Sequence, residues 1–246
     1  MKRTAFFYCQ NFIRFALNKL TVMKKILFFT LLLIYSYIGI AQECHDYFPF
    51  KAGTEWEMTN YDAKNKVLTV SEYKIESIHS NVAEIHLTSK DAKGKQLADM
   101  RLKWYCDEEK VNFEMKDMFP QMDMMDNANV EMKFSGDNLS YPKNMKAGDL
   151  LPDAESKIEM MMNGMRVMSM VVKVTDRKVE GTEQLSTPAG SFECLKLSET
   201  AEVKSIMSAK TKSVIWLSKN RGVVKTDSYN SKGKLEAYQL MTKFKS

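Results

Sequence analysis

The 246-residue sequence lacks the residue patterns that most catalytic and metal sites require. It has only three histidines, His45, His79 and His86, and no Gly-x-Ser-x-Gly segment of the kind that carries a serine nucleophile. No pair of cysteines or histidines has the short spacing of a zinc site, and no acidic run matches a calcium loop. The sequence therefore disfavours nucleophilic hydrolysis and metal-dependent catalysis and predicts no cofactor.

Long hydrophobic runs are also scarce. The main apolar run, Ile26–Ile40, has fifteen uncharged residues, fewer than the roughly 20 that a transmembrane helix needs. It follows Lys24-Lys25 and precedes the small residue Ala41, which is typical of a secretory signal peptide. Two residues separate Ala41 from Cys44, so this cysteine is not positioned for lipid attachment.

We therefore predict that residues 1–41 are a signal peptide with an over-long N-terminal extension, and that translation starts at Met23. Residues 42–246 would then be one exported β domain without a transmembrane span, in the periplasm, on the outer surface or outside the cell. Two of the five prolines lie in Tyr141–Pro152, which is predicted to be a loop. A seam near residues 142–152 would divide this domain if it has two parts.

An excess of positive charge is missing from this domain. The chain has 36 basic and 31 acidic residues, but six of the basic residues and none of the acidic ones lie in residues 1–41. The remaining 30 basic and 31 acidic residues nearly balance. Because nucleic-acid binding needs a clustered basic excess, we expect no nucleic-acid partner.

Cysteines are few, and an odd number remains after export. Cys44, Cys106 and Cys194 allow three disulfide pairings in an oxidising compartment. We favour Cys44–Cys106, because it would fix the N-terminal segment to the sheet. The segment Cys44–Gly53 is rich in aromatic residues and is predicted to pack as an apolar plug against that sheet.

Alternating apolar and polar residues fill most of the remaining chain. Met100–Cys106 shows the clearest period of two, which is typical of a half-buried strand. Asn163-Gly164 predicts a type I′ hairpin, and three turns opened by Asp or Asn predict further hairpins: Asp62–Lys66, Asp91–Lys95 and Asn230–Lys234. The sequence predicts a mainly β fold of about a dozen antiparallel strands, as a strongly curved sheet or incomplete β-barrel.

Residues 116–126 break this alternation and predict one short helix or apolar loop. Pro120 limits any helix there. If this segment covers an apolar cavity of the sheet, the side chains that would contact a ligand are Met118, Phe119, Met122 and Met125.

Methionine is the one residue type in clear excess. Thirteen of the 19 methionines lie between Met115 and Met170. Thioethers bind Cu(I) in exported proteins, so Met160, Met162 and Met165 form an alternative soft-metal site. Methionine also fills irregular apolar surfaces, which favours core packing or an adaptable surface for an apolar ligand.

Several further motifs occur in order across residues 42–246: Ser135-Gly-Asp-Asn-Leu139, Tyr141-Pro-Lys-Asn144, Thr187-Pro-Ala-Gly-Ser-Phe-Glu-Cys194 and Gly222-Val-Val-Lys225. Together they resemble the motifs of the TapB-like group of exported bacterial proteins. The resemblance implies an exported β domain of unknown function and no catalytic residues. Asn220-Arg221-Gly222 departs from the Gly-Val-Gly that is usual in that group.

We therefore expect an exported, non-enzymatic protein that binds an apolar ligand or an envelope protein. Copper binding is one alternative. Hydrolysis of an envelope polymer is a second alternative, which would need two carboxylates facing each other across a cleft.

Overall fold

A computed structural model describes residues 46–107, 109–114, 130–205 and 208–246. They belong to one compact unit, residues 43–246. Their regular secondary structure is all β-strand, and within these ranges no helix is long and apolar enough to span a membrane. The predicted signal peptide and the predicted loop or helix at 116–126 lie outside the described residues. The strands are β1 (Glu55–Asp62), β2 (Val67–His79), β3 (Val82–Asp91), β4 (Gln96–Cys106), β5 (Lys110–Phe113), β6 (Val130–Gly136), β7 (Leu139–Pro142), β8 (Ala154–Met162), β9 (Met165–Thr187), β10 (Gly190–Lys204), β11 (Ser208–Ser218), β12 (Gly222–Asn230) and β13 (Leu235–Lys245).

The thirteen strands form one antiparallel sheet whose two edge strands are consecutive in the chain. The order is β6-β8-β9-β10-β11-β12-β13-β1-β2-β3-β4-β5-β7. Laid flat, such a sheet would be about 55–60 Å wide, whereas the connection Asp137-Asn138 between β6 and β7 reaches only about 11 Å. The sheet must therefore curl until its edges approach each other. The described parts of β6 and β7 do not pair, so the predicted strongly curved, unclosed sheet is confirmed.

Tight turns connect many neighbouring strands, and their side chains follow the sequence prediction. Asp62, Asp91 and Asn230 each accept, through Oδ1, hydrogen bonds of 2.8–3.0 Å from the backbone N–H groups two and four residues later. Asn163-Gly164 has φ angles of 50° and 76°, as a type I′ turn requires. These turns fix the register of four hairpins and so keep the apolar residues of each strand on one face.

Strand β7 corrects the predicted loop at Tyr141–Pro152. It pairs with β5 from Phe113↔Leu139 to Lys110↔Pro142. Proline cannot donate a backbone hydrogen bond, but an edge strand has a neighbour on only one side and tolerates it. Beyond Pro142 the predicted loop is largely present, apart from a bridge between Leu150 and Lys178 of β9.

A buried arginine ties edge strand β7 to β9, which lies near the opposite edge of the sheet. Arg177 of β9 donates from Nη1 to the carbonyl oxygens of Ser140 at 2.9 Å and Pro152 at 2.6 Å. Its Nε donates to Glu199 at 3.3 Å, and its guanidinium lies 4.7 Å from the centre of the Tyr141 ring. Burial raises the pKa of Glu199, against the opposing effect of Arg177. The bond to Ser140 connects β9 with β7, which share no backbone ladder.

The core consists of two buried apolar clusters. One comes mainly from β5 and β7–β11, and the other mainly from β1–β4, β12 and β13. Phe50, Trp104 and Val223 are partly buried and pack against both clusters. The region where the clusters meet is therefore rich in large rings and holds the main candidate site.

Candidate ligand-binding site

A cavity of about 320 Å³ is lined by residues from both apolar clusters. Its aliphatic lining comes from Met58, Leu102, Leu139 and Val223, and Gly222 also borders it. Three polar side chains, Arg221, Thr226 and Gln239, also line the cavity. The remaining lining consists of six aromatic side chains, here called the aromatic wall: Phe48, Trp56, Tyr73, Trp104, Phe113 and Tyr141.

The rings of the aromatic wall contact one another in a continuous series. Trp56 and Tyr73 are stacked, with ring centres 5.0 Å apart and planes 2° apart. Trp104 lies 5.6 Å from Trp56 and 5.7 Å from Phe48, and Phe48 lies 5.2 Å from Tyr141. Aromatic pairs of this kind add about 0.5–1.5 kcal/mol each beyond their buried area. The wall is therefore held in place by its own contacts and is formed in advance of any ligand.

Strand alternation explains why these rings face inward. Side chains alternate between the two faces of a strand, so Trp56 of β1 faces the core while Glu55 and Glu57 face outward. The same rule turns Trp104 of β4 inward and Lys103 outward. The aromatic wall thus follows from local sequence on each strand, and the curvature of the sheet brings the strands together.

The N-terminal segment supplies Phe48 and confirms the predicted plug. Phe48 is only 3% exposed. The backbone N–H groups of Arg221 and Gly222 donate to the carbonyl oxygen of Tyr47 at 3.1 and 2.8 Å. Gly222 has a φ of 82°, and a Cβ there would lie 3.5 Å from Pro49. The turn between β11 and β12 therefore holds the plug against the cavity.

The polar lining residues cluster on β12, β13 and the turn before β12. Thr226 and Gln239 are directly opposed across the β12–β13 ladder. The Arg221 guanidinium lies 4.3 Å from the centre of the Phe244 ring, and its Nη1 donates to the carbonyl oxygen of Asn220 at 3.1 Å. An apolar ligand with one polar end would find its hydrogen-bonding partners here.

Sequence reasoning did not identify the residues that line this cavity. The predicted ligand-contacting residues, Met118, Phe119, Met122 and Met125, lie outside the described residues, so that prediction is untested. The one available signal was the concentration of aromatic residues in the N-terminal plug and at inward positions of β1, β2 and β4. A solid aromatic core gives the same sequence pattern, so sequence alone could not distinguish a solid core from a cavity lined by aromatic side chains.

The three methionines of the soft-metal alternative come together at the β8–β9 hairpin. Met162 lies opposite Met165 in the ladder, and Met160 is on the same face of β8 as Met162. Met162 and Met165 are 42% and 69% exposed. No cluster of three or more His, Cys, Asp or Glu side chains among the described residues could hold a metal ion, so any metal here would depend on thioethers.

Of the cysteines, Cys194 is a buried free thiol. Burial, together with Glu183 and Glu193, raises its pKa to about 11, which makes it a poor nucleophile. Its free state excludes the two pairings that contain it. Cys44 lies outside the described residues, so the Cys44–Cys106 pairing stays a prediction.

A larger cavity of about 600 Å³ runs along the charged face of β13, β1, β2 and β3. Glu55 pairs with Lys74 at 3.0 Å, and this hydrogen bond lowers its pKa. Partial burial alone would raise the pKa of Glu57, but hydrogen bonds from Lys243 and Thr242 lower it overall. A glycosidase needs one carboxyl with a raised pKa as general acid. Glu55 and Glu57 instead form ion pairs with Lys74 and Lys243.

Comparisons with known proteins agree with this architecture. A DUF3108-like family profile matches residues 51–241. A candidate lipoprotein structure from Parabacteroides distasonis is 24% identical, with a TM-score of 0.66 over 83% of this chain and 100% of that chain. A candidate exported protein with a YmcC-like fold from Bacteroides fragilis is 26% identical, with a TM-score of 0.63 over 82% and 100%. No curated protein matches. The narrower resemblance to the TapB-like group stays a prediction.

Proposed function

This chain belongs to the DUF3108-like family, and we propose that it is an exported, non-enzymatic protein that binds a small apolar ligand in its aromatic cavity. The cavity itself carries this proposal. Ligand sites in proteins enclose about 300–1,000 Å³ and combine mostly apolar walls with a few polar groups. A cavity of about 320 Å³ with an aromatic wall and three polar side chains has this composition.

The lining supports binding over catalysis. Its described residues include no carboxylate, imidazole or thiol, the groups that most often act as general acids, bases or nucleophiles. Burial also raises the pKa of the Tyr73 and Tyr141 hydroxyls, so both phenols stay neutral at physiological pH. A ligand in this cavity would meet aromatic surface and hydrogen-bond donors without a reactive group.

Export is supported by two independent observations. Residues 1–41 have the charged, apolar and small-residue regions of a signal peptide. The Bacteroides fragilis neighbour, at 26% identity, is itself described as an exported protein. An exported binding protein would meet ligands of the cell envelope, and a lipid-derived or other envelope molecule is the class that we propose.

Binding can be tested with the neutral apolar dye N-phenyl-1-naphthylamine, whose fluorescence rises in an apolar site. The wild-type domain should bind the dye, and Leu139→Phe, which adds volume at the cavity wall, should weaken binding at least about tenfold, equivalent to about 1.4 kcal/mol. Leu68→Phe is the control, because Leu68 is exposed on β2. Unchanged dye binding in a folded Leu139→Phe variant would contradict the proposal. Native mass spectrometry of protein purified from its own envelope would show a retained ligand directly.

A second candidate function is Cu(I) binding at the β8–β9 hairpin. It is favoured by the shared face of Met160 and Met162 and by the direct opposition of Met162 and Met165. Cu(I) prefers such soft sulfur ligands. The exposure of Met162 and Met165 would let a metal reach them without unfolding.

A further inference from the structure

Arg221 lies where the apolar cavity meets a polar one. It lines the aromatic cavity of about 320 Å³ and also a neighbouring cavity of about 390 Å³. The neighbouring cavity carries hydroxyl groups from Thr182, Ser191 and Ser218. Among the described lining residues, Arg221 is the one common to both cavities.

The guanidinium of Arg221 has unused hydrogen-bonding capacity. Of its five side-chain N–H donors, one bonds to a described residue, through the carbonyl oxygen of Asn220. Each of the other arginines in the described part of the chain pairs with a carboxylate: Arg101 with Glu76, Arg166 with Glu159, and Arg177 with Glu199. Arg221 has no such partner among the described carboxylates and contacts the Phe244 ring instead. A ligand anion would supply the missing charge.

The position of Arg221 is fixed by its backbone. Its N–H lies 3.1 Å from both the Tyr47 and the Ser218 carbonyl oxygens, at the turn that also holds the plug. Contact with the Phe244 ring orients the guanidinium plane. Preorganisation of this kind reduces the entropy lost when a ligand binds.

The charge around the polar cavity also favours an anion. Its charged lining residues are Lys219, Arg221 and Glu193, which leaves one net positive charge at neutral pH. The adjoining aromatic wall is uncharged. An apolar group attached to one anionic group matches this distribution.

We propose that the ligand is amphipathic, with its apolar part in the aromatic cavity and a carboxylate or phosphate bound by Arg221. Guanidinium groups recognise both anions through paired N–H donors. Thr226 and Gln239 are additional donors within the cavity lining. This inference rests on the proposed function and adds the chemical class of the ligand.

Three probes with the same apolar chain separate charge from hydrophobicity: decanoate, decyl phosphate and decan-1-ol. Binding can be followed through tryptophan fluorescence, because Trp56 and Trp104 line the cavity. The wild-type protein should bind at least one of the two anions about tenfold to a hundredfold more tightly than the alcohol, as charge-assisted hydrogen bonds predict. The preferred anion then identifies the headgroup class.

Arg221→Gln should remove this preference by weakening the binding of the anions, while decan-1-ol should still bind. Arg221→Lys, which retains the charge without the paired donors, should keep part of the preference. Arg166→Gln is the control, because Arg166 is exposed on the β8–β9 hairpin and lines neither cavity. Retained decan-1-ol binding also shows that the Arg221 variants are folded.

Two results would overturn the inference in distinguishable ways. If decan-1-ol binds as tightly as both anions, or if Arg221→Gln keeps the preference, the cavity binds apolar ligands and the anion assignment is wrong. If none of the three probes nor the neutral dye binds, the proposed function itself fails.

Discussion

Replacing Arg177 with methionine should destabilise the protein far more than the same change at an exposed arginine. The Arg177 side chain has no exposed surface, and its partner Glu199 is 14% exposed. Methionine keeps much of the apolar volume but removes the hydrogen bonds to Ser140, Pro152 and Glu199. Removing one member of a buried ion pair costs about 3–5 kcal/mol. The free energy of unfolding should fall by this amount.

Arg101→Met provides the matched control. Arg101 and Glu76 are 3.0 Å apart, slightly closer than Arg177 and Glu199, but the Arg101 side chain is 67% exposed. Exposed ion pairs contribute about 0.2–1 kcal/mol. Urea denaturation followed by tryptophan fluorescence would measure both losses. If both variants lost the same unfolding free energy, the stability contributed by an ion pair would not depend on its burial, and the reasoning would be refuted.

The loss of unfolding free energy in Arg177→Met should also depend on pH, because Glu199 is titratable. Burial raises the pKa of Glu199 and Arg177 opposes this rise, so the variant should raise it further. A carboxyl with a raised pKa in the folded state stabilises the fold below its unfolded pKa, and this stabilisation is lost as pH rises through the folded value. The deficit of Arg177→Met should be smallest below about pH 4 and grow toward neutrality. Adding Glu199→Gln should flatten this dependence, and a deficit independent of pH would show that Glu199 is not the group left unpaired.

The sharp connection between the two sheet edges should make Gly136→Ala destabilising by about 1–3 kcal/mol, because its φ is 115° and an added Cβ would overlap the carbonyl oxygen of Glu155. Thermal denaturation measures this loss, and Gly94→Ala, which has open space around it, should lose less. If the β8–β9 hairpin binds Cu(I), titration under reducing conditions should raise the melting temperature, since binding to the native state stabilises it. This shift should disappear when leucine replaces Met160, Met162 and Met165, and a wild-type protein that shows no shift would exclude the site.

Features governed by neighbouring residues were predictable from sequence. The Asn163-Gly164 turn and the turns opened by Asp62, Asp91 and Asn230 depend on residues within four positions of one another, and all four form as expected. Alternation places Trp104 inward for the same reason, because the pleat of a single strand decides it. The number of strands and their antiparallel order follow from these local signals.

Features that depend on a change of register were not predictable. Along β9 the buried positions are Met170, Val172 and Val174, so continued alternation would turn Arg177 outward. Asp176 instead has a φ of 54°, and the pairing with β10 shifts at this point. Such a bulge moves the following side chains to the opposite face. A residue that looks like a solvated arginine in sequence is therefore buried.

The lining of the cavity was not predicted because it depends on contacts between residues far apart in the chain. Phe48 and Gly222 meet only because the plug returns to the β11–β12 turn, and Tyr141 joins them only because β7 is an edge strand and not a loop. Each residue alone has the signature of ordinary core packing. Their combination around an open volume appears only once the sheet has curled.

The β11–β12 turn now connects the fold to the proposed function. Gly222 adopts the positive φ that lets its neighbours hold the plug, and Arg221, one residue earlier, presents its guanidinium at the polar end of the cavity. A change at Gly222 would act on the ligand through Phe48 and the aromatic wall, and so would alter the affinity for charged and neutral ligands alike. A change of the Arg221 side chain leaves the backbone bonds to Tyr47 in place, and so would act mainly on the discrimination between charged and neutral ligands. Of these two adjacent residues, Gly222 therefore affects the shape of the site and Arg221 its charge.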